Sequence, residues 1–372
     1  MIVFLLVLLL AAYVVLLNIY LYGWRKEVNY KQEEATLTPF VSVIVPARNE
    51  KDNIASCIKS LLSQNYKGEY EVVVVDDHSD DGTSDVLKER FGDSLHLRVI
   101  RQARGNSGKK AALQTGIGAS QGEIIATVDA DCIVGDSWLH TCMGEFEHNV
   151  QIATGPVLIR KASNALEAYQ ALDLLSLSMV TGGGLNMGLH VLGNGANLLF
   201  RREAFDRVGG YRSGAQFASG DDLFLLQNIA NEFGNEAVAY VGSPEAVVWT
   251  DPETDLQSLN EQRLRWASKN SDLPDQAIQF IWGFIWVINF VTLLLIPLVL
   301  IGSISLTLAL AFILIKGAQE YIALRVVAEH YSLSVTMDRF PLSFLMNIAY
   351  ISAIGIKSLI TKEYTWKGRT VR

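Results

Sequence analysis

Residues 2–22 (IVFLLVLLLAAYVVLLNIYLY) carry no charged side chain, and as a helix they would reach about 30 Å, the thickness of a bilayer's hydrocarbon core. Such a run must lie in lipid or be buried whole. A cleaved signal peptide would need a basic n-region and a shorter apolar stretch, and neither is present. Residues 1–24 are therefore read as a transmembrane anchor. Arg25 and Lys26 follow immediately, and the positive-inside rule assigns them and the succeeding domain to the cytoplasmic side of an inner or plasma membrane.

Apolar residues make up 50% of the chain, and they concentrate again near the C-terminus. Residues 278–301 are uncharged, and 303–315 make a second span if it runs from Gly302 through Gly317. The stretch 316–340 holds Lys316, Glu320, Arg325, Glu329, Asp338 and Arg339, which favours an interfacial helix over a crossing. Residues 341–361 are apolar except for Lys357, a side chain that can snorkel. Residues 276–361 are thus expected to form transmembrane and interfacial helices, followed by a basic cytoplasmic tail over 362–372. Four full crossings would leave that tail outside, against its charge, so the last apolar stretch is expected to be re-entrant or interfacial.

Residues 25–39 read as a polar linker, and 40–275 as an α/β domain on the cytoplasmic side. Its β-branched runs VSVIV (41–45), EVVVVDD (71–77), LRVI (97–100) and EIIATVDAD (123–131) alternate with helical periods over about 53–64 and 109–120. That pattern predicts buried parallel strands in βαβ units, whose ligands bind beyond the strand carboxyl ends. The region 150–270 is less regular, with helices expected near 163–180 and 222–233. Gly182 to Gly184 and Gly193 to Gly195 read as turns, as a close backbone approach to a ligand, or as flexible linker. A net charge of −8 argues against nucleic-acid binding. The three cysteines, Cys57, Cys132 and Cys142, contain no C-x-x-C pair and fit a reducing compartment.

Acids at the ends of buried strands are costly unless they bind something. Asp76 and Asp77 follow one strand, and Asp129 and Asp131 follow another. In an extended backbone the two acids of D-x-D turn the same way, which suits a hard divalent cation, Mg2+ or Mn2+, holding a diphosphate. Asp80, Asp81 and Asp136 have the setting of turn or capping residues. Lys109 and Lys110 follow GNSG at a helix start, where backbone amides and an ammonium group suit a phosphate; a solvated basic face is the alternative. Asp221 and Asp222 begin another amphipathic helix, where one could act as a base and the other only as a cap. There is no G-x-S-x-G and no H-E-x-x-H.

Taken in order, VSVIVPARNE, VVVVDDHSDDGT, GNSGKKAAL, ATVDADC, GNGAN, VGGY, SGDD and QRLRW resemble the family 2 glycosyltransferases. The branch most similar is the membrane-bound one with a D, D-x-D, D, Q-x-x-R-W signature, which includes ceramide glucosyltransferases and hyaluronan, cellulose and poly-N-acetylglucosamine synthases. The resemblance covers about residues 40–270. It implies a GT-A fold, with a Rossmann-like mixed sheet, flanked here by the N-terminal anchor and C-terminal helices. It also implies an inverting, metal-dependent transfer of sugar from a UDP-sugar to a membrane-associated acceptor, lipid or saccharide, with no nucleic acid and with oligomerisation left open. By position in the motifs, Pro46, Arg48, Glu50, Asp76 and Asp77 line the nucleoside edge. Lys109 matches the diphosphate lysine, but Lys110 and Ala111 stand where Ala-Gly is usual, so either lysine could reach the phosphates. Asp129 and Asp131 match D-x-D, with Asp131 favoured as the direct metal ligand. Gly193, Asn194 and Gly195, with the run continuing to Asn197, match an acceptor-side loop. Asp222 matches the base, although a shift by one would give that role to Asp221. Gln262 and Arg265 share a helix face toward the diphosphate, and Trp266 offers a wall to the acceptor.

A processive polysaccharide synthase is the nearest rival, disfavoured by the modest number of membrane helices. A non-catalytic nucleotide-sugar-binding sensor or scaffold is the reading from another class. Trp366, Lys367 and Arg369 resemble the basic aromatic tail of several membrane-bound members, or serve as an interfacial anchor.

Overall fold

The computed structural model describes residues 1–28, 37–147, 149–212, 220–267, 275–360, 364–366 and 369–371. The polar linker over 29–36, Ser219 of the SGDD motif, and Lys362 and Lys367 of the tail lie outside the described residues. The chain divides into two compact units. A helical unit comprises Met1–Arg25, Ile159–His190 and Pro252–Arg372, and a sheet unit comprises Lys26–Leu158 and Val191–Asp251. Contacts group 159–190 and 252–267, both within the expected 40–275 span, with the apolar helices.

The uncharged N-terminal run forms α1 (Ile2–Val28). The sheet unit then opens with β1 (Val41–Ala47), α2 (Ile54–Leu62), β2 (Tyr70–Asp76), α3 (Thr83–Phe91), β3 (Leu97–Arg101), α4 (Lys109–Ala119) and β4 (Ile124–Thr127). Next come β5 (Ile133–Val134), α5 (Trp138–Met143), β6 (Ile152–Thr154) and β7 (Val157–Ile159). After α6 (Ala165–Asn186), which belongs to the helical unit, follow β8 (Leu198–Arg201), α7 (Arg202–Arg207), α8 (Asp221–Phe233), β9 (Val238–Tyr240) and β10 (Val248–Thr250).

The main sheet has the order β3-β2-β1-β4-β8-β6-β9. The first four strands are parallel, with Val45 opposite Val74 and Val43 opposite Ala126. β8 enters antiparallel to both β4 and β6. The βαβ pattern in the sequence therefore describes the first half, and the irregular second half supplies the strand that makes the sheet mixed. The interior residues of β1 and β2 from Val72 to Val75 and from Val43 to Val45 are fully shut from solvent, which is why these runs show no polar alternation. β3 forms an edge and keeps Arg98 and Val99 exposed.

The helical unit continues with α9 (Leu256–Ala267), α10 (Gln276–Leu300), α11 (Leu306–His330) and α12 (Phe340–Ile360), and ends in a hairpin of β11 (Tyr364–Trp366) and β12 (Arg369–Val371). Among the described residues, four helices are long and apolar enough to cross a membrane: Ile2–Val28, Gln276–Leu300, Leu306–His330 and Thr336–Ser358. α11 runs unbroken from Leu306 to His330, so the expected second span and the first part of the charged 316–340 stretch form one helix. Its inner charges are paired one turn apart, Lys316 with Glu320 and Arg325 with Glu329, which removes the reason for a break. Leu6, Leu10 and Tyr13 of α1 pack with Ile288, Leu295, Ala309 and Phe312.

Gly182 to Gly184 do not form a turn or a linker; they lie inside α6. A Cβ at Gly183 would sit 2.2 Å from the carbonyl oxygen of Tyr20. The glycines let the backbones of α1 and α6 approach closely, at the expense of helix propensity.

Candidate active site

Parallel β1, β2 and β4 end on one edge of the sheet, and the segments after them carry most of the acids expected to bind. Asp76 and Asp77 are neighbours on an extended backbone, so they face opposite ways. Asp76 turns into its own loop: one carboxylate oxygen accepts from the Ser79 amide at 2.9 Å and the other from the Ser84 hydroxyl at 2.6 Å. Asp77 turns toward the next loop, where its Oδ2 accepts the Gly108 amide at 2.9 Å and lies 3.8 Å from Arg48 Nη1. The same guanidinium nitrogen donates to the Asp77 carbonyl at 2.8 Å.

The loops after β1 and β2 are stitched together. Asn49 N–H donates to Ser79 Oγ at 3.0 Å, and Asp80 N–H donates to Asn49 Oδ1 at 3.1 Å. Asn49 and His78 adopt left-handed φ values of 53° and 60°, a strain that persists where the surroundings over-determine the backbone. Asp81 takes the turn role expected of it, accepting the Thr83 amide at 2.9 Å and hydroxyl at 2.6 Å. Glu50 accepts from Asn53 Nδ2 at 3.1 Å, and Pro46 is the penultimate residue of β1, opposite Val75.

The start of α4 gathers three of the acidic motifs. Gly108 holds Asp77, Lys109 pairs with Asp129, and Lys110 Nζ lies 2.6 Å from Asp221 Oδ1. Backbone amides at a helix N-terminus carry a positive partial charge, so this point combines two ammonium groups, oriented amides and a ring of carboxylates. That is the composition of a diphosphate site with a cation to match it.

Within D-x-D, Cys57 Sγ donates to the Asp129 carbonyl at 3.6 Å and Cys132 Sγ to Asp131 Oδ1 at 3.4 Å. Asp131 keeps exposed surface, while loss of hydration, then Asp129 and Glu50, push its carboxyl up to about 6. Among the described residues no group of three or more His, Cys, Asp or Glu side chains is arranged to hold a metal ion. Two carboxylates beside a helix start that offers amides and lysines fit a divalent cation that would take its remaining ligands from substrate and water.

On the other side, Asp222 Oδ2 accepts the Gly195 amide at 2.8 Å, and its Oδ1 accepts the Leu223 amide at 2.9 Å. The Gly195 carbonyl in turn accepts from Thr127 Oγ1 at 2.7 Å. Asn194 N–H donates to Thr154 Oγ1 at 3.2 Å, and a Cβ at Gly193 would meet Leu226 at 2.4 Å. Asp221 is nearly closed to solvent, and burial raises its carboxyl while Lys110 opposes the rise. Tyr211 is buried nearby; burial, then Asp221 and Asp222, raise its phenol.

Asn197 closes the motif matched to the acceptor-side loop, and the structure gives it a role the sequence did not assign: it organises the loop. Its Oδ1 accepts from Trp138 Nε1 at 3.1 Å, and its Nδ2 donates to the carbonyls of Pro156 and Ala246, each at 2.9 Å. As the last residue of the GNGAN run, Asn197 shows nothing in the sequence of these three distant partners.

Gln262, Arg265 and Trp266 lie on α9, in the helical unit. Gln262 Nε2 donates to Glu253 Oε1 at 2.9 Å, and Glu253 is held by Gln170 of α6 through its main chain. The Trp266 ring carries the Arg263 guanidinium at 4.2 Å, and Arg263 Nη2 lies 2.6 Å from Asp173 Oδ2. Arg263 and Asp173 were not singled out from the sequence.

The model of the Glycosyl transferase family 2 family matches residues 42–209. The chain is 33% identical over 252 residues to a beta-monoglucosyldiacylglycerol synthase of Nostoc sp., covering 64% of this chain and 50% of that protein. It is 26% identical over 238 residues to a poly-beta-1,6-N-acetyl-D-glucosamine synthase of Staphylococcus epidermidis, covering 61% of this chain and 53% of that protein. The chain thus spans about half the length of the curated relatives it matches. A mannosyltransferase of Pyrobaculum calidifontis, solved in complex with GDP-Man and Mn2+, aligns with a TM-score of 0.62 at 19% identity, over 94% of this chain and 99% of that one. The likeness establishes the fold, a GT-A type with a central mixed sheet.

Proposed function

We propose that the chain, whose residues 42–209 match the Glycosyl transferase family 2 model, transfers a sugar, with inversion, from a UDP-sugar to a lipid-linked acceptor at the cytoplasmic face of a membrane. The observation that carries this reading is the start of α4, where Asp77, Asp129 and Asp221 meet Gly108, Lys109 and Lys110. The two lysines are matched by carboxylates, and a diphosphate would compete for the same ammonium groups. Asp77 and Arg48 would receive the nucleoside, with Pro46 and Glu50 on the same edge; Asp76 would brace the loop.

Asp129 and Asp131 would hold Mg2+ or Mn2+, which when bound stabilises charge on the departing diphosphate. Asp222 is assigned the base: its carboxylate is aimed by two backbone amides and sits against Gly195 of the expected acceptor loop. Asp221, tied to Lys110, is assigned the supporting role. Gln262, Arg265 and Trp266 keep a role at the diphosphate and acceptor on the strength of the motif. A lipid acceptor is supported by the four long apolar helices and by the glycolipid synthase among the relatives; the cytoplasmic face rests on Arg25 and Lys26.

The test is UDP release by the full chain in detergent, with and without candidate lipids, followed by mass measurement of the product. A single-sugar lipid that disappears with EDTA, returns with Mn2+ or Mg2+, and is lost in Asp222→Asn supports the reading. The poly-N-acetylglucosamine synthase among the relatives favours a second reading, a processive synthase. Long polymer from purified protein would replace the first reading with that one, and UDP binding without turnover of any donor would favour a sensor.

A further inference from the structure

Where α6, α9 and α12 meet inside the helical unit, several hydrogen-bond donors are shut from solvent and left without partners. Tyr169 of α6 stacks edge-on against Tyr350 of α12, with ring centroids 5.4 Å apart. Neither phenol oxygen has a hydrogen-bond partner, and neither does Arg263 Nε of α9, although all three atoms are buried. Burial without a partner is unfavourable for such groups and uncommon in folded proteins. Three of them at one junction mark a place prepared for something that accepts hydrogen bonds. Tyr350 belongs to an apolar stretch long enough to span a bilayer, so the junction adjoins the part of the chain suited to lipid.

The charge of the cluster narrows the ligand. Arg263 is already matched by Asp173 at 2.6 Å, and one face of its guanidinium is covered by the Trp266 ring at 4.2 Å. The remaining donors are a guanidinium N–H and two hydroxyls, with no surplus positive charge from Arg263 to balance a phosphate. Oxygen atoms of hydroxyl, ester or ether type satisfy such donors at no electrostatic cost; a lipid phosphate would bring two negative charges to a pair that is already neutral.

We propose that Tyr169, Tyr350 and Arg263 form a binding site for the uncharged, hydroxyl- and ester-bearing head of a lipid. Building on the transfer reading above, that lipid is the acceptor. The site selects a neutral diacyl lipid over a polyprenyl phosphate, and the phenols orient its oxygens through their O–H groups.

The experiment uses the full chain in phosphatidylcholine nanodiscs with a photoactivatable diacylglycerol whose diazirine lies near the glycerol. Adducts are mapped by peptide mass, with dioleoylglycerol or undecaprenyl phosphate as competitor. Labelling is expected on peptides containing Tyr169, Arg263 or Tyr350, displaced by dioleoylglycerol and not by undecaprenyl phosphate. Tyr169→Phe with Tyr350→Phe keeps both rings and should weaken specific labelling about tenfold. Arg263→Lys, which keeps the charge and loses Nε–H, should weaken it as well.

Equal labelling of the double variant, or displacement by undecaprenyl phosphate alone, overturns the site. Specific labelling without any glycolipid product overturns the transfer reading and leaves the site standing. Glycolipid formation with labelling indifferent to the double variant overturns the site alone.

Discussion

Lys110 Nζ lies 2.6 Å from Asp221 Oδ1, and both side chains are largely withdrawn from water, at 17% and 8% exposure. Burial raises the Asp221 carboxyl and Lys110 opposes the rise, so the cation is what favours the ionised form in this dehydrated setting. Removing the cation leaves a carboxylate in a dehydrated setting without its ionic partner. Lys110→Met is expected to cost about 3 kcal/mol at neutral pH, measured as thermal unfolding in detergent. The sign with pH follows from the raised carboxyl, which takes up a proton in the folded state before it does so in the unfolded one. Its charged form is therefore a growing liability as pH rises above the ordinary aspartate range. The Lys110→Met deficit should shrink on acidification and largely vanish in Lys110→Met with Asp221→Asn. A deficit that is flat with pH would show that the pair is not the cause.

Gly195 and Asp222 make the second test. The Gly195 amide donates to Asp222 Oδ2 at 2.8 Å, and a Cβ placed at Gly195 would stand 3.2 Å from that oxygen. Gly195→Ala would push the carboxylate aside while leaving the sheet untouched, so turnover should fall about tenfold or more with little change in unfolding temperature. Asp222→Asn should lower turnover by about 10²- to 10⁴-fold, whereas Asp221→Asn should mainly alter stability and donor affinity. The reverse ranking would move the base to Asp221. Steady-state UDP release against donor concentration separates the two.

The parts of this molecule legible in the sequence are those set by local pattern. The apolar strands declare themselves because they are buried on both faces, and the acids that follow stand out because a carboxylate there is costly. What was not legible depends on partners distant in sequence. Whether Asp76 or Asp77 faces the site is decided by the pleat and by Ser79 and Ser84. The glycines of 182–184 read as a break, since nothing local announces that Tyr20 will cross α6 there. The 316–340 stretch reads as too charged for a spanning helix because its pairing, Lys316 to Glu320 and Arg325 to Glu329, appears only once the helix exists. Arg263 was not singled out beside Gln262 and Arg265, yet its one-turn offset from Trp266 lets it stack on that ring.

His190 supplies a pH test outside the sheet unit. Its Nε2 lies 2.9 Å from the Tyr20 hydroxyl, and the ring is buried. Burial lowers its pKa from 6.5 to about 4, against a smaller opposing pull from Asp275. A lowered histidine disfavours the proton in the folded state, so this group's contribution is intact above the unfolded value and is lost as pH falls from about 6.5 toward 4. The loss should reach at most about 3 kcal/mol. His190→Gln, which keeps hydrogen-bonding capacity without titrating, should flatten the acid limb of a stability-against-pH curve measured in detergent. An unchanged limb would place the acid sensitivity elsewhere.

The final test concerns Lys316, which is fully closed to solvent within an apolar helix. Its ammonium lies 2.6 Å from Glu320 Oε1, the Tyr13 hydroxyl donates to the same oxygen at 2.6 Å, and the Phe344 ring faces the charge at 4.8 Å. The cluster ties α1 and α11 together and places α12 over the cation. Charges in such a segment are tolerated when paired and become costly when one partner is removed. Glu320→Ala should therefore destabilise the helical unit by about 3–5 kcal/mol, and Tyr13→Phe by about 2 kcal/mol, the worth of a hydrogen bond to a charged group. Lys316→Met with Glu320→Leu should recover most of the loss, because an apolar pair of similar volume has no desolvation penalty to offset. The readout is the temperature at which half of the protein leaves the monodisperse peak in detergent. If Glu320→Ala alone matches the unmutated chain, the ion pair does not hold the helices together.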